Sequence, residues 1–446
     1  SYVSMTGNRG TWSSTRPTSP DSSKTGLPTL TEPGSRAPLR PTSLLAGFYF
    51  PAMSFMVAAA AVAVVNWLGG FAWAGWMTLH LALLGGVSQL VLGSAQFFTS
   101  AFLATDPPPR GLVFSQVAVW NAGTLMIVVS MPSGNPSLAE AGGVLIVVGL
   151  LLFASGLWTM KRRSLQSFSW AVRWYGSSAA FLSMGALAGI GMAGGAVWTG
   201  GSLLGAHIAL NLTGWFGTAI VGTLHTFFPS LTGTRLGFPR LEGYTFVAWL
   251  TGVLALAGGL GSGNATLAVL GWISLGTAAV LLSINMASSL RASSGPLPLA
   301  ATLVGTGQLF LCAGLAVGLA WSLARGVWAP FAAPGRETLS ILIILGWIGM
   351  TVAGSLLHLL TILARVRSRF TLPMPVPKPM QENLLVAMAG IGIAGMAVAG
   401  TAGAEFPEVL ARAVTIAAAI LLARRLLALA ARAAFSGSFR SGARGS

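Results

Sequence analysis

Residues 205–235 read GAHIALNLTGWFGTAIVGTLHTFFPSLTGTR, an apolar stretch of helix length that holds two of the chain's four histidines, His207 and His225. The two are eighteen residues apart, or five helical turns, so both imidazoles leave one side of the helix about 27 Å apart along its axis. That separation nearly equals the hydrocarbon thickness of a bilayer. Asn211, Gly214, Thr218 and Gly222 lie between them on the same side, while the other faces carry Leu, Ile, Val, Phe and Trp. A small, polar stripe on an otherwise apolar helix faces protein or a cavity rather than lipid.

The rest of the chain extends this reading. Of its 446 residues 54% are hydrophobic and 8% charged, too little polar surface for a water-soluble globule of that length. The expected fold class is all-α, a polytopic membrane protein. The formal net charge of +16 has the size but not the pattern of a nucleic-acid binder. Its basic residues sit in short clusters between apolar runs, where they set topology, and no basic stripe with interleaved aromatics tracks a phosphate backbone. The lipid bilayer is the expected partner and nucleic acid is not. Cys312, the single cysteine, falls in an apolar segment, which leaves no disulfide framework and no thiolate metal cluster. The polar start of the chain has no early apolar region, so no cleavable signal peptide is expected.

Residues 1–40 are rich in Ser, Thr and Pro and lack hydrophobic periodicity, the composition of a disordered tail. Twelve candidate spans come after it, each near the ~20 residues a bilayer requires. They run at about 44–66, 74–103, 111–131, 138–160, 174–198, 201–228, 244–262, 264–290, 297–325, 338–366, 383–402 and 406–433. Residues 44–433 thus read as a twelve-helix transmembrane domain, and 434–446 as a C-terminal tail. Arg110, the cluster of Lys161, Arg162, Arg163 and Arg173, then Arg235, Arg240, Arg291, Arg365, Arg367, Arg369, Lys378 and the last arginines all fall on one face. The other keeps Arg325, Arg336 and Arg412 beside Glu140, Glu337, Glu405 and Glu408. By the positive-inside rule both termini are expected in the cytoplasm, with the protein in the plasma membrane.

Spans 2, 6 and 10 share a pattern: Gly85, Gly93-Ser94 and Gln96; Gly214, Gly222-Thr223 and His225; Gly346, Gly354-Ser355 and His358. The copies are spaced by 129 and 132 residues, four spans each, which predicts three pseudo-repeated four-helix units. All three spans run from the outer to the inner side, so His80 and His207 belong to an outer level and His225 and His358 to an inner one. An imidazole inside a bilayer needs a partner, and histidine is the commonest metal ligand; ligand use and plain hydrogen bonding both remain open. At the inner level His225 and His358, with Gln96 as the third member, are the candidate metal set. At the outer level His80 precedes its repeat glycine by five residues and His207 by seven, a difference of about 200° around the helix that sets them toward different helix clusters.

Twelve spans, a cytoplasmic N-terminus, three four-helix units and outer histidines in spans 2 and 6 resemble subunit I of the haem-copper oxidases. The chain is more similar still to divergent relatives: NnrS-type haem and copper proteins, and actinobacterial membrane modules joined to an extracytoplasmic copper oxidase or nitrite reductase domain. The stretches that carry the resemblance are TLHLALLGG (78–86) and AHIALNLTGWFGTAIVGTLHTFFPSLTGTR (206–235), two helices of an architecture covering about 44–433. The resemblance implies haem b on His80, copper on His207, and a copper oxidase or nitrite reductase as partner. It also has gaps. Where span 10 of the oxidases brings paired histidines, this chain reads LSILIILGWIGM (339–350), and the oxidase pattern of His, Glu and a cross-linked Tyr is replaced by His207-Ile208-Ala209-Leu210-Asn211. No Asp, Glu or Lys is found deep within a span, so proton-pumping oxygen reduction is not expected and no catalytic residue is assigned.

Two functional expectations result. The first is a haem- and copper-binding membrane protein with a degenerate catalytic centre, serving electron transfer in a respiratory chain or the handling of copper or nitric oxide. The second is a transporter or channel for a metal ion or small solute along spans 2, 6 and 10; a scaffold subunit with structural histidines is the third class. Trp67, Trp73, Trp76, Trp198 and Trp328 read as interfacial anchors. Met53, Met56, Met77 and Met350 are soft donors in principle and packing residues by frequency. Gln89, Gln116, Asn121, Gln308 and Asn285 read as interhelical glue.

Overall fold

The computed structural model describes residues 41–165, 170–367 and 378–435. The tail predicted at 1–40, and all but the first two residues of the one predicted at 434–446, lie outside the described residues. Within them there is no strand, and twelve helices are long and apolar enough to cross a membrane. These are α1 (Thr42–Trp67), α2 (Ala74–Phe102), α3 (Arg110–Ser130), α4 (Pro136–Arg163), α5 (Trp170–Ala193), α6 (Leu203–Thr232), α7 (Pro239–Ser262), α8 (Ala265–Ala292), α9 (Leu299–Arg325), α10 (Gly335–Val366), α11 (Pro379–Ala402) and α12 (Glu405–Arg432). The chain is thus an all-α polytopic membrane protein, as its composition requires: in hydrocarbon only helices and closed barrels satisfy every backbone group.

The boundaries obey helix-end chemistry. Proline opens α4, α7 and α11, where its missing N–H costs nothing. The spans predicted at 174–198 and 201–228 are observed at Trp170–Ala193 and Leu203–Thr232. Gly195, at φ +71°, turns the chain out of α5 in a conformation other residues resist, and the Ser202 side chain then accepts the Gly205 N–H at 2.9 Å to cap α6.

α3 with α4, α7 with α8, and α11 with α12 are antiparallel hairpins drawn together at glycines. A Cβ on Gly123 would lie 2.8 Å from the Gly142 carbonyl oxygen, one on Gly252 2.8 Å from the Leu275 nitrogen, and one on Gly392 3.0 Å from the Thr415 nitrogen. Such close approach is how membrane helices gain packing without a hydrophobic drive between them. Burial ranks the helices: 72% of the most apolar stretch of α6 and 61% of that of α2 is buried, 50% in α7, α9 and α10, and only 17% and 11% in the outlying α1 and α12. Phe50, Leu151 and Ile391 are among the large apolar side chains left on the outside, the surface expected against lipid.

α2, α6 and α10 share a feature that the sequence did not predict. Each contains a π-helical stretch, Leu81–Val87, Leu210–Gly217 and Ile341–Gly349, and each stretch includes the first glycine of the shared pattern. Those glycines make room for an aromatic ring from the helix before: a Cβ on Gly85, Gly214 or Gly346 would lie 2.6, 2.7 or 2.5 Å from Phe55, Phe181 or Phe310. Seven residues earlier on those same helices, Phe48, Trp174 and Leu303 lie against the second glycines, Gly93, Gly222 and Gly354. One local construction therefore recurs three times in register.

The polar residues predicted to link helices do so. Gln89 and Asn121 join α2 to α3 at 3.3 Å, Gln96 donates to Gln116 at 3.1 Å, and Gln308 of α9 accepts from Trp347 of α10 at 3.0 Å. Asn285 of α8 bonds both backbone groups of Phe238 just before α7.

Candidate functional site

A cavity of about 680 Å³ lies at the end of the bundle where α2, α6 and α10 begin. Its walls are mostly apolar and come chiefly from α2, α4, α5, α6 and α10, with Pro330 and Phe331 of the α9–α10 connection. Both outer-level histidines line it.

His80 ends the α-helical turn that precedes the first π stretch. Its Nδ1 lies 2.8 Å from the Trp76 carbonyl oxygen, and its ring stacks on the Trp76 indole at 4.0 Å. A carbonyl only accepts, so Nδ1 carries the proton and Nε2 keeps a free lone pair. Trp76 is therefore a partner of His80. Trp67, Trp73, Trp198 and Trp328, the other tryptophans near span ends, are all exposed.

His207 reaches the same state by another route. Its Nδ1 lies 2.8 Å from the Gly185 carbonyl oxygen of α5, and its Nε2 is likewise left as the acceptor. Small residues on α5 admit it: a Cβ on Gly189 would come 3.3 Å from His207 Cε1, and one on Gly185 2.8 Å from the Asn211 amide. Asn211 in turn donates to the His207 carbonyl at 2.7 Å. Fixing one ring nitrogen with a backbone carbonyl is how proteins orient an imidazole whose other nitrogen serves a ligand.

The angular difference between the two histidines does not send them to different helix clusters, as their spacing suggested. α2 and α6 are separate walls of one cavity, so imidazoles leaving the two helices at different angles both line it. Arg336, exposed in the first turn of α10, is the one formally charged side chain among the described residues lining the cavity. Met131 and Met192 line it as well, whereas Met53, Met56, Met77 and Met350 do not.

The inner-level residues have separate neighbours. Gln96 bonds Gln116 of α3. His225 is buried, holds the Val221 carbonyl with Nδ1 at 2.9 Å and stacks on Trp174 of α5 at 6.0 Å. His358 lies edge-on to Phe227 of α6 at 5.4 Å. Among the described residues no three His, Cys, Asp or Glu side chains are placed to share a metal ion. The polar stripe of α6 does face protein, as its pattern required: His207, Asn211, Gly214, Gly222 and His225 all meet α5.

Glu242 was missed because the seventh span was expected to start at 244. The helix begins at Pro239 and takes in Glu242, which is 5% exposed and accepts from Trp174 Nε1 at 3.3 Å. A carboxylate one turn after a Pro-initiated helix start is a recognisable first-turn signal. Comparison of the chain with protein-family models and with curated proteins finds no match.

Proposed function

We propose that the cavity between α2 and α6 holds haem, with His80 and His207 supplying imidazole nitrogens to its iron, and that the protein serves electron transfer at this side of the membrane. The observation that carries the reading is the pairing of two carbonyl-pinned imidazoles with free Nε2 atoms in one apolar cavity of cofactor size. The donor set fits: neutral imidazole suits iron and copper alike, and Arg336 at the wall offers a counter-charge to an acidic substituent. A lone copper ion on His207 would use one imidazole and leave most of the apolar wall uncovered, so haem accounts for more of the site. When bound, haem supplies a one-electron couple; the chain's own part is to fix the two ring tautomers, keep the pocket dry and present a cation. A copper oxidase or nitrite reductase remains the partner class to which such an electron carrier would belong.

Absorption spectra of oxidised and reduced protein, taken with iron and copper analysis, test this directly. A Soret band and stoichiometric iron are expected, both lost in His80→Ala and His207→Ala and both kept in His225→Ala and His358→Ala. Protein that is colourless and metal-free when purified from haem-supplied cells, and that takes up no haem on titration, overturns the reading.

A further inference from the structure

A second, smaller chamber of about 80 Å³ lies farther along α2, α6 and α10. The residues that these helices contribute to its wall fall into matched triplets at the 129- and 132-residue spacing, from Leu90, Ala219 and Thr351 at one end to Phe98, Phe227 and Leu359 at the other. The three helices therefore enclose a common axis. Along the three helices, just before the chamber-lining residues begin, Val87, Phe216 and Ile348 obey the same spacing and are buried at 7%, 3% and 1% exposure. Each of these residues precedes a chamber-lining residue by four and so shares its face. Phe216 is also in the wall of the outer cavity, and one helical turn, about 5 Å, separates the plug from the chamber.

We infer that α2, α6 and α10 enclose an axial path for small uncharged molecules, shut at its midpoint by the plug of Val87, Phe216 and Ile348. This proposal is independent of the cofactor reading. The chamber's chemistry sets the cargo. Its middle carries the hydroxyls of Ser94, Thr223 and Ser355, with Tyr49 and Tyr175 bonded to the first two at 2.6 and 2.8 Å, and the remaining lining is apolar apart from Thr351, whose hydroxyl accepts from Gln308 at 3.2 Å. Among the described residues no carboxylate lines it, so a bare metal ion, one cargo allowed by the sequence, meets only neutral hydroxyl oxygens and no counter-charge. The plug residues also stand at the last or next-to-last position of the three π stretches. Rewinding a π stretch as α-helix rotates the residues at its end about the helix axis, so a change of winding would swing all three off the path. Apolar constrictions of this kind gate by excluding water.

The test uses water as the probe, in osmotic shrinkage of proteoliposomes monitored by stopped-flow light scattering. Phe216→Ala and Ile348→Ala are expected to raise water permeability several-fold over wild type at equal protein content, while an entrapped anionic dye stays inside. In a Cys312→Ser/Ser94→Cys/Phe216→Ala protein, a mercurial is expected to abolish the gain and a thiol reductant to restore it. The proposal is overturned if both plug variants, eluting and melting as folded protein, shrink at the wild-type rate. It is equally overturned if the dye escapes with the water, or if the mercurial leaves the rate unchanged.

Discussion

The indole Nε1 of Trp249 on α7 donates to the carbonyl oxygen of Thr213 on α6 across 3.0 Å, and 129 residues earlier in the chain Trp120 on α3 does the same to Leu84 on α2 across 3.1 Å. Both acceptors lie within π stretches, where the regular i to i+4 ladder is broken and a carbonyl is left to find its partner elsewhere. Both tryptophans are fully buried. Trp249→Phe keeps a ring in place and removes the donor, leaving the Thr213 carbonyl only the longer bond from the Thr218 hydroxyl at 3.5 Å, at a cost of about 1 kcal/mol. The midpoint of thermal unfolding in detergent should fall, and that of Trp158→Phe, whose indole is 61% exposed, should not. A Trp249→Phe protein that melts with the parent would show that the π stretch holds without the indole.

The glycines of the shared pattern make a second prediction by contrast. A Cβ on Gly222 would sit 2.5 Å from the Cβ of Trp174, and Trp174 cannot give way, being bonded to Glu242 and stacked on His225. Gly222→Ala should therefore destabilise by about 1–3 kcal/mol through overpacking. Gly276, inside α8 with nothing within 4 Å, should accept alanine with a gain of up to about 1 kcal/mol from helix propensity. Unfolding midpoints of the two variants that move in the same direction would contradict this account.

These two sites mark where the sequence was readable. Span length and apolarity gave all twelve helices, because the bilayer imposes both, and the glycine pairs of α2, α6 and α10 could be seen as a pattern because close packing admits no substitute. The π stretches left no trace, since Leu81–Val87 has the composition of any apolar helix. Their effect on rotation is one reason spacing alone misjudged the meeting of His80 and His207. The other is that a cavity belongs to several helices at once, and its walls at Gly189, Met131 and Arg336 are linked by tertiary packing rather than by period. Glu242 was hidden by a boundary drawn five residues late.

The side of the membrane on which the histidine cavity opens can be measured through the single cysteine. In a Cys312→Ser background, Arg336→Cys at the cavity wall and Arg291→Cys at the far end of α8 each provide one exposed thiol. The charge distribution predicts that a membrane-impermeant maleimide labels Arg336→Cys in intact cells and Arg291→Cys only after permeabilisation. The reverse pattern would invert the orientation and place the cavity on the cytoplasmic side.

Gly189 separates a ligand role for His207 from a merely structural one. The His207 ring occupies the space above this glycine, 3.3 Å from where a Cβ would stand, while its Nδ1 is held by Gly185 one turn away. Gly189→Val would push the ring at Cε1 and Nδ1 while leaving the Gly185 carbonyl itself in place. If Nε2 serves a bound haem, Gly189→Val should lose most of the Soret absorbance and iron while keeping helical content and elution volume. Gly191→Ala, whose new methyl would meet Leu203 at an ordinary 3.6 Å, should keep both. A ring that only satisfies a backbone carbonyl tolerates a small tilt, because hydrogen bonds bend readily, whereas coordination to iron fixes the nitrogen in direction as well as distance. Undiminished haem in Gly189→Val would therefore remove His207 from the ligand set and leave His80 to hold the group alone.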